Sequence, residues 1–395
     1  MAIQEKWQDH PLLRRRDGRE APVLPIELFF DLVYVFAVTQ ISHLFIHHLS
    51  LTGAVEAAIL WMGVWLCWQY TCWVTNWFDP ETRAIRLMIF GLMLAGLVMA
   101  ATIPRAFTDR AWLFAVAYVA IQVGRTLFVL WHLGPNHVLS PNFVRMLGWL
   151  LISGGFWIGG ASVEHGARMA LWAVAALCEY VSPMVGFRLP GLGRSRTSDW
   201  TVEGGHIAER CQLFVIVALG ETILVNGARF ADLPQWSTPL TIAFLVSFVL
   251  TLAMWWIYFG TSSRDGSHVI THADDPGRLS AWFHDTHAVM VGGVIVTAVA
   301  ADQILAQPDA RMTMGLIAVL LAGPALYLVA NGFYKRVVYA CWPPSHMGGL
   351  VALGVLALAA PTTDRLMVGG LSLIIMLGVG FWDARVVGPR RPALA

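Results

Sequence analysis

Apolar stretches long enough to cross a lipid bilayer follow one another along almost the whole chain. A membrane-spanning helix needs about 20 mostly apolar residues, with a range of about 17–25. Cuts at prolines, glycines and clusters of charge leave twelve such stretches, at residues 27–49, 53–77, 84–103, 110–132, 143–162, 166–187, 206–226, 239–260, 284–305, 312–334, 345–361 and 366–383. Their apolar runs are continuous, whereas the strands of a membrane β-barrel alternate apolar and polar residues. The sequence therefore predicts an all-α integral membrane protein with about 12 transmembrane helices.

The composition agrees with lipid as the solvent for these stretches. Only 13% of the residues are charged and 57% are hydrophobic, whereas a soluble domain carries about 25% charged residues. With so few charges the chain cannot cover a water-facing surface, so its predicted partner is the lipid bilayer. The net charge of +1 decides nothing about nucleic acid, but the lack of a basic patch with interleaved aromatic residues argues against nucleic-acid binding.

The basic residues are distributed unevenly between the two ends of the predicted spans. If the N-terminus is cytoplasmic, 18 of the 26 Lys and Arg residues fall in cytoplasmic segments, 6 in outer loops and 2 within spans. This bias follows the positive-inside rule and predicts an even number of spans with both termini in the cytoplasm. The predicted organisation is a cytoplasmic tail (1–26), a first six-helix half (27–187), a cytoplasmic connecting loop (188–205), a second six-helix half (206–383) and a cytoplasmic C-terminal tail (384–395).

The two predicted halves show a faint internal similarity. Leu32–Gln40 can be aligned with Leu213–Glu221, which matches Gln40 with Glu221 late in the first span of each half. Because six spans return the chain to its starting side, such a 6+6 duplication would relate the halves by an axis along the membrane normal. Chance alignment of apolar segments is the alternative.

Acidic residues in the first span form the first candidate site. Glu27 and Asp31 are four residues apart and share a helix face, and Tyr34 lies near that face one turn further on. Placing an ionised side chain in the middle of a membrane span costs about 2.5–3.5 kcal/mol or more, so such a residue is expected to have a structural or functional role. Glu27 could simply be favoured by the dipole at a helix N-terminus, and Asp31 could make a structural hydrogen bond. The functional alternative is a polar pathway lined by Glu27, Asp31, Tyr34 and Gln40.

The seventh span carries the second concentration of charge. Its polar residues are His206, Glu209, Arg210 and Glu221. Arg210 and Glu221 are about 16 Å apart along a helix and cannot pair directly, so each needs a partner elsewhere. The acids available to Arg210 are Asp31, Glu27 and Glu179, while Arg125 could pair with either Glu221 or Glu179. A fixed lattice of ion pairs that holds the helices together is the alternative to a role in transport.

No motif for a metal, a cofactor or a catalytic nucleophile is present. His284 and His287 open the ninth span and could form a metal site or a proton relay, but capping and surface solvation explain them better. The five cysteines form no CxxC pair, and no phosphate-binding loop, HExxH motif or nucleophile elbow occurs. The sequence predicts neither a bound metal nor a cofactor, and it sets no oligomeric state.

Two long motifs resemble one known family. Glu27–His43 (ELFFDLVYVFAVTQISH) is similar to the opening signature of the bacterial low-temperature-requirement A (LtrA) family. His206–Leu224 (HIAERCQLFVIVALGETIL) resembles that family's HxxERxxLFxIIxLGExIL stretch. Trp255–Gly260 resembles a WWxYFD element, except that Gly260 replaces the acidic residue. The resemblance runs from about residue 22 to about residue 385 and implies a multi-pass inner-membrane protein associated with growth in the cold, without implying a substrate.

A more distant resemblance concerns the lysosomal-type potassium channels, which carry a Phe-Ser-Asp motif in their first helix. Phe29-Phe30-Asp31 is similar in shape, although the seventh span lacks the pattern. The leading hypothesis is a transporter or channel that moves protons, small cations or a small solute past buried carboxylates. One alternative is a membrane enzyme at the lipid interface, with His206 and Glu209 or His284 and His287 as acid–base groups. The other is a scaffold or stress-response sensor whose ion pairs only stabilise the fold.

Overall fold

The computed structural model describes residues 10–15, 21–197 and 200–387. Within these ranges the chain forms twelve long α-helices and one short one. They are α1 (Pro25–His47), α2 (Leu51–Trp77), α3 (Arg83–Thr102), α4 (Ala111–Leu133), α5 (Ser140–Ala161), α6 (His165–Met184), α7 (Gly204–Ala231), α8 (Thr238–Phe259), the short α9 (Ser263–Thr271), α10 (Pro276–Ala306), α11 (Met314–Tyr339), α12 (Pro344–Ala359) and α13 (Arg365–Val387). Helices satisfy their own backbone hydrogen bonds, which is why apolar segments of this length adopt them in lipid.

The all-α membrane architecture predicted from the sequence is confirmed. Each predicted span lies on one of the long helices, and β structure in the described ranges is limited to isolated bridges. Eleven helical stretches of the described chain are long and apolar enough to cross a membrane. The remaining long helix, α6, has 20 residues and carries Arg168 and Glu179 in its interior, which lowers its hydropathy. The count of twelve spans therefore stays a prediction.

The described residues fall into two compact units. The first is drawn from Met1–Ile41, Val55–Arg210 and Asp275–Arg278. The second is drawn from Ser42–Ala54, Cys211–Asp274 and Leu279–Ala395. Most of the boundaries fall inside helices, since α1, α2, α7 and α10 each contribute residues to both units.

In the first unit, consecutive helices from α3 to α6 pack side by side around an aromatic core. Trp157 and Trp172 are fully buried, and the Trp172 indole N–H donates to the Trp157 carbonyl at 2.9 Å. Gly160 permits this contact, because a Cβ there would lie 2.5 Å from the Trp172 ring. Small residues at such crossings let membrane helices approach closely.

In the second unit, α8 packs on α13, and α11, α12 and α13 pack on one another. Two glycines bring α10 and α11 together. A Cβ on Gly293 would lie 2.8 Å from the Tyr327 backbone nitrogen, and one on Gly323 would lie 2.7 Å from that of Thr297. The two backbones are therefore in direct contact at this crossing, and neither glycine can be replaced without moving them.

Candidate functional site in the first unit

The Glu27 carboxylate is the centre of a buried cluster of charges. Its Oε2 accepts a hydrogen bond from the Arg14 guanidinium at 2.9 Å, and its Oε1 accepts one from Arg210 at 3.0 Å. His206 Nε2 lies 3.0 Å from Oε1. The side chain also accepts the Leu24 backbone N–H at 3.0 Å, the contact that a glutamate at the third position of a helix makes with its cap. Glu27 is 0% exposed, so it serves as a helix-capping residue and as a fully buried anion at once.

The local structure of α7 places His206 and fixes its proton. Glu203 caps the N-terminus of α7 by accepting the backbone N–H groups of Gly205 and His206, at 3.1 and 2.6 Å. The Asn76 amide donates to His206 Nδ1 at 3.2 Å and also donates to the Glu203 carbonyl at 2.8 Å. Since Nδ1 accepts, the ring proton lies on Nε2 and is donated to Glu27.

Asp31 lies one turn beyond Glu27 and shares its arginine. Arg210 donates to Asp31 Oδ1 at 2.5 Å, and the Trp68 indole N–H donates to the same oxygen at 2.7 Å. The guanidinium also lies over the Trp68 ring, 5.8 Å from the ring centre. The second oxygen, Oδ2, is buried and has no hydrogen-bond partner among the described residues. Asp31 thus keeps one acceptor atom unused in a place that water does not reach freely.

Arg210 binds both carboxylates because they repeat at helical spacing. Positions four apart on α1 present their side chains on one face, and the fork of a guanidinium spans that separation. With Arg14 the cluster holds two positive and two negative charges, so it is balanced when His206 is neutral. Of the three acids considered as partners of Arg210, the structure uses Glu27 and Asp31.

A second buried polar network lies further along the same unit and centres on Arg125. Its guanidinium donates to Thr71 Oγ1 at 3.0 Å and to the side-chain oxygen of Gln122 at 2.5 Å. The Gln122 amide in turn donates to Glu179 at 2.6 Å. Arg125 and Glu179, both fully buried, are therefore joined through a neutral glutamine and not by a direct ion pair within the described chain.

Glu179 is held by neutral donors alone. Its carboxylate accepts from the Tyr118 hydroxyl at 2.8 Å, the Ser153 hydroxyl at 2.7 Å and the Trp157 indole at 3.3 Å, besides Gln122. Four donors on one carboxylate can compensate its loss of hydration, which a buried anion requires.

Tyr34 lies three residues after Asp31 on α1. Its side chain is fully buried. Its hydroxyl has no hydrogen-bond partner among the described residues. A Cβ on Gly96 of α3 would lie 3.9 Å from the hydroxyl oxygen, so α3 forms part of its surroundings. The side chain predicted to lie near the Glu27–Asp31 face is thus buried with an unused hydroxyl.

The other predicted site residues lie elsewhere. Glu209 is exposed and accepts the Val23 backbone N–H at 3.2 Å, which anchors the chain just before α1. Gln40 is half-buried, about 14 Å beyond Asp31 along α1. Glu221 is buried and belongs to the second unit.

Several residues of the site were missed by reasoning from the sequence. Arg14 counts there only as one positive charge of a tail, and Trp68 looks like a packing residue in a tryptophan-rich helix. Asn76 and Gln122 give no signal as isolated polar residues. The available clue was the spacing of Trp61, Trp65 and Trp68, which places three indoles on one helix face, more than interfacial anchoring requires.

The second unit contains a different buried ion pair, between Lys335 and Asp383. Lys335 also donates to Thr261 Oγ1 at 2.7 Å, and the other Asp383 oxygen accepts the Ser345 hydroxyl at 3.0 Å. Ser345 contacts His346 Nδ1 at 3.1 Å, and His346 Nε2 lies 2.8 Å from the Asn331 side-chain oxygen. Lys335 counts as a loop residue in the sequence, but its side chain is fully buried.

One open groove lies beside the beginning of α1. It has a volume of about 470 Å³ and is lined mainly by Leu24, Pro25, Phe29, Glu81, Arg86 and Phe90. In the described part of the chain no three His, Cys, Asp or Glu side chains are placed to hold a metal ion. His287, one of the histidines considered for acid–base chemistry, is fully buried in the second unit with its Nε2 2.7 Å from the Tyr258 hydroxyl.

Comparison with known proteins gives a match along most of the sequence. The family model described as bacterial low temperature requirement A protein (LtrA) matches residues 22–381. An uncharacterized protein of Rhizobium meliloti (strain 1021) is 38% identical over 374 residues, which cover 94% of this chain and 91% of that protein. No solved structure matches.

Proposed function

The chain belongs to the bacterial low temperature requirement A (LtrA) family of multi-pass membrane proteins, and we propose that it moves protons across the bilayer as a transporter or channel. Asp31 is the proposed proton-binding group, and Glu27, Arg210 and His206 hold it in place. The observation that supports this proposal is that Oδ2 of Asp31 is buried and has no hydrogen-bond partner among the described residues. The same holds for the Tyr34 hydroxyl on the same helix. A buried carboxylate with one spare acceptor atom gains a proton without losing a hydrogen bond.

The polar groups beyond Asp31 indicate the direction of the proposed proton path. Beyond Asp31 on α1 lies the unpartnered Tyr34 hydroxyl, and the same unit holds the network in which Gln122 links Arg125 to Glu179. A guanidinium and an amide do not exchange protons at ordinary pH, so Arg125 and Gln122 hold the charges beside the path, while the proton passes from Asp31 toward Glu179 through the Tyr34 hydroxyl and bound water. Because Asp31 and Tyr34 are fully enclosed by packed side chains, a proton suits this geometry better than a hydrated cation or a larger solute.

Arg210 gives the site two electrostatic states. When Asp31 is ionised, the guanidinium is shared between two carboxylates. When Asp31 is protonated, Glu27 keeps the full charge of Arg210 and the shared bond to Asp31 weakens. Arrival of a proton therefore changes the force between α1 and the start of α7, the kind of local change that can bias a conformational equilibrium.

The proposed topology places this site at a definite membrane side. With the orientation indicated by the basic residues, both termini are cytoplasmic and Glu27 faces the cytoplasmic end of the path. Two six-helix halves, at 27–187 and 206–383, remain part of the proposal.

Proton uptake by purified protein in liposomes tests the proposal. We expect Asp31→Asn to abolish dye-reported uptake driven by an imposed potential, because an amide cannot bind the proton at ordinary pH. Asp109→Asn, which changes an exposed carboxylate, is the matched control and should transport normally.

Both variants should be monodisperse and melt at a temperature close to that of the unchanged protein. Normal uptake by a folded Asp31→Asn protein would contradict the proposal and favour the scaffold alternative, in which the charges only hold helices together.

A further inference from the structure

Residues 10–15, here named the N-terminal strap, run along the end of α2 within the first unit. The Arg14 backbone N–H donates to the Trp77 carbonyl at 2.9 Å, and the Asp79 N–H donates to the Leu12 carbonyl at 2.8 Å. Leu13 is buried between these two bonds. A segment outside the helices is thus fixed to the bundle by one backbone bond on each side of a buried leucine.

The strap places the positively charged Arg14 side chain beside the proposed proton path. The Arg14 side chain is only 8% exposed, and its Nε donates to the Thr75 carbonyl at 2.7 Å while Nη2 reaches Glu27. Arg210 approaches Glu27 from within a helix, but Arg14 approaches from a segment that can leave without unfolding any helix. Arg14 is therefore the removable counter-charge of Glu27.

Two histidines hold the other end of the strap. The rings of His10 and His137 meet edge to face with their centres 5.6 Å apart. His10 Nδ1 accepts the Leu12 N–H at 3.3 Å, and its Nε2 donates to the His132 carbonyl at 3.1 Å. His137 Nδ1 accepts the Leu139 N–H at 3.2 Å. Both rings use Nδ1 as an acceptor, so both are neutral in this arrangement.

Protonation opposes this arrangement in two ways. A proton on Nδ1 removes the acceptor of a backbone N–H, and charging both rings places like charges side by side. Burial, together with the neighbouring His10, lowers the pKa of His137 below its usual value. Because the docked state binds protons less readily, docking is favoured above the usual histidine pKa of about 6.5 and weakens as the pH falls below it.

The other titratable groups beside the pair come from two elements. His132 at the end of α4 presents its carbonyl to His10, while its own ring Nδ1 lies 2.9 Å from the Phe128 carbonyl. Asp79 follows α2, and its carboxylate accepts the Glu81 N–H at 2.9 Å. The Asp79 carboxylate makes no hydrogen bond or ion pair with the paired imidazoles among the described residues, so no described acid compensates their charging.

We propose that the N-terminal strap is an acid-released plug that closes the cytoplasmic mouth of the path by seating Arg14 on Glu27. His137 is its pH sensor, and His10 is the ring that packs against it. The plug rests on the proposed function, since Glu27 lies at the cytoplasmic end of the path to Asp31, but its release is a separate structural event that can be measured without transport.

Double electron–electron resonance, which measures the distance between two spin labels, follows release of the strap in the full-length protein. Spin labels at Pro11→Cys and Leu192→Cys, two exposed positions of the first unit, report the distance between the strap and the bundle. Cys178 and Cys341, the cysteines that are not buried, are replaced by serine so that they take up no label. We expect one narrow distance distribution at about pH 8 and a broad one at about pH 5.5, with the ratio of states changing by up to roughly tenfold per pH unit.

His137→Phe keeps the ring contact and removes one titrating group, so it should remove a large part of the pH response. A distribution that does not change with pH, or a response that His137→Phe leaves intact, would overturn the plug. These outcomes do not depend on whether the protein transports anything.

Proton uptake by the protein in liposomes is the second test of the plug. Arg14→Gln should raise the rate at neutral pH roughly tenfold, since loss of one charged hydrogen bond is worth at least this factor, while Arg15→Gln changes an exposed neighbour and should leave the rate unchanged. An unchanged rate in Arg14→Gln, in a protein that transports, would overturn the plug. Absent uptake in all forms with intact strap release would contradict only the proposed function.

Discussion

The two units each bury an ion pair, and the pairs differ in how completely they are satisfied. In the second unit Asp383 accepts Lys335 with one oxygen and Ser345 with the other, so both oxygens are used. In the first unit Asp31 uses only Oδ1, and Arg210 divides its donors between two carboxylates. The comparison teaches that burial of charge does not by itself mark a working site. An unused acceptor and a shared counter-charge distinguish the first cluster from a closed structural pair.

The largest expected effect comes from removing the shared cation. Arg210→Met leaves Glu27 and Asp31 buried with only Arg14 and His206 nearby, and a broken buried pair costs about 3–5 kcal/mol. We expect a strongly lowered melting temperature in detergent. The double variant Arg210→Met with Asp31→Leu removes one charge of each sign and should recover much of the stability, yet it should not transport. If Arg210→Met alone melts normally, the cluster does not carry the charge interactions described here.

A smaller effect is expected from Trp68, which donates to Asp31. Trp68→Phe keeps an aromatic ring but loses the indole donor, and a hydrogen bond to a charged group contributes about 1.5–3 kcal/mol. Both stability and the rate of proton uptake should fall. Trp65→Phe, a buried neighbour on the same helix, is a matched control for ring packing and should slow uptake much less. Equal effects on uptake would show that the indole bond to Asp31 has no special role.

The smallest net effect is expected when the pair of the second unit is replaced as a whole. Lys335→Met with Asp383→Leu exchanges a buried ion pair for apolar side chains, which is often neutral or stabilising. The double variant should keep both its melting temperature and its transport rate. Loss of transport in a stable double variant would contradict the division of roles between the units, because it would give the closed pair a function as well.

Much of the fold could be predicted from the sequence alone. Continuous apolar runs predicted the long helices, since backbone groups in lipid must bond within their own segment. The eleventh predicted span is short and follows two prolines, yet it forms α12 with a 3-10 turn and is long enough to cross. The sixth is less certain because Arg168 and Glu179 fall inside α6, and a count of apolar residues cannot tell whether a neighbouring helix satisfies them.

The site was predictable in part. Glu27, Asp31 and Arg210 were identifiable because ionisable residues inside apolar helices are costly and rare. Arg14 and Gln122 were not, because a tail arginine and a lone glutamine carry no local signature. Glu209 shows the converse, since it sits in the same motif as Arg210 but faces outward and binds the backbone at Val23.

The sequence by itself determined that this chain is a helical membrane protein and that α1 and α7 carry its costly charges, because helix period and transfer energy are local properties. Only the tertiary structure decided which charged side chains pair with one another. Arg210 reaches across 179 positions of the sequence to Asp31, and Arg14 folds back onto Glu27 from outside the helices. Such pairings depend on which helix faces touch, and that is set by the packing of the whole unit and not by any single segment.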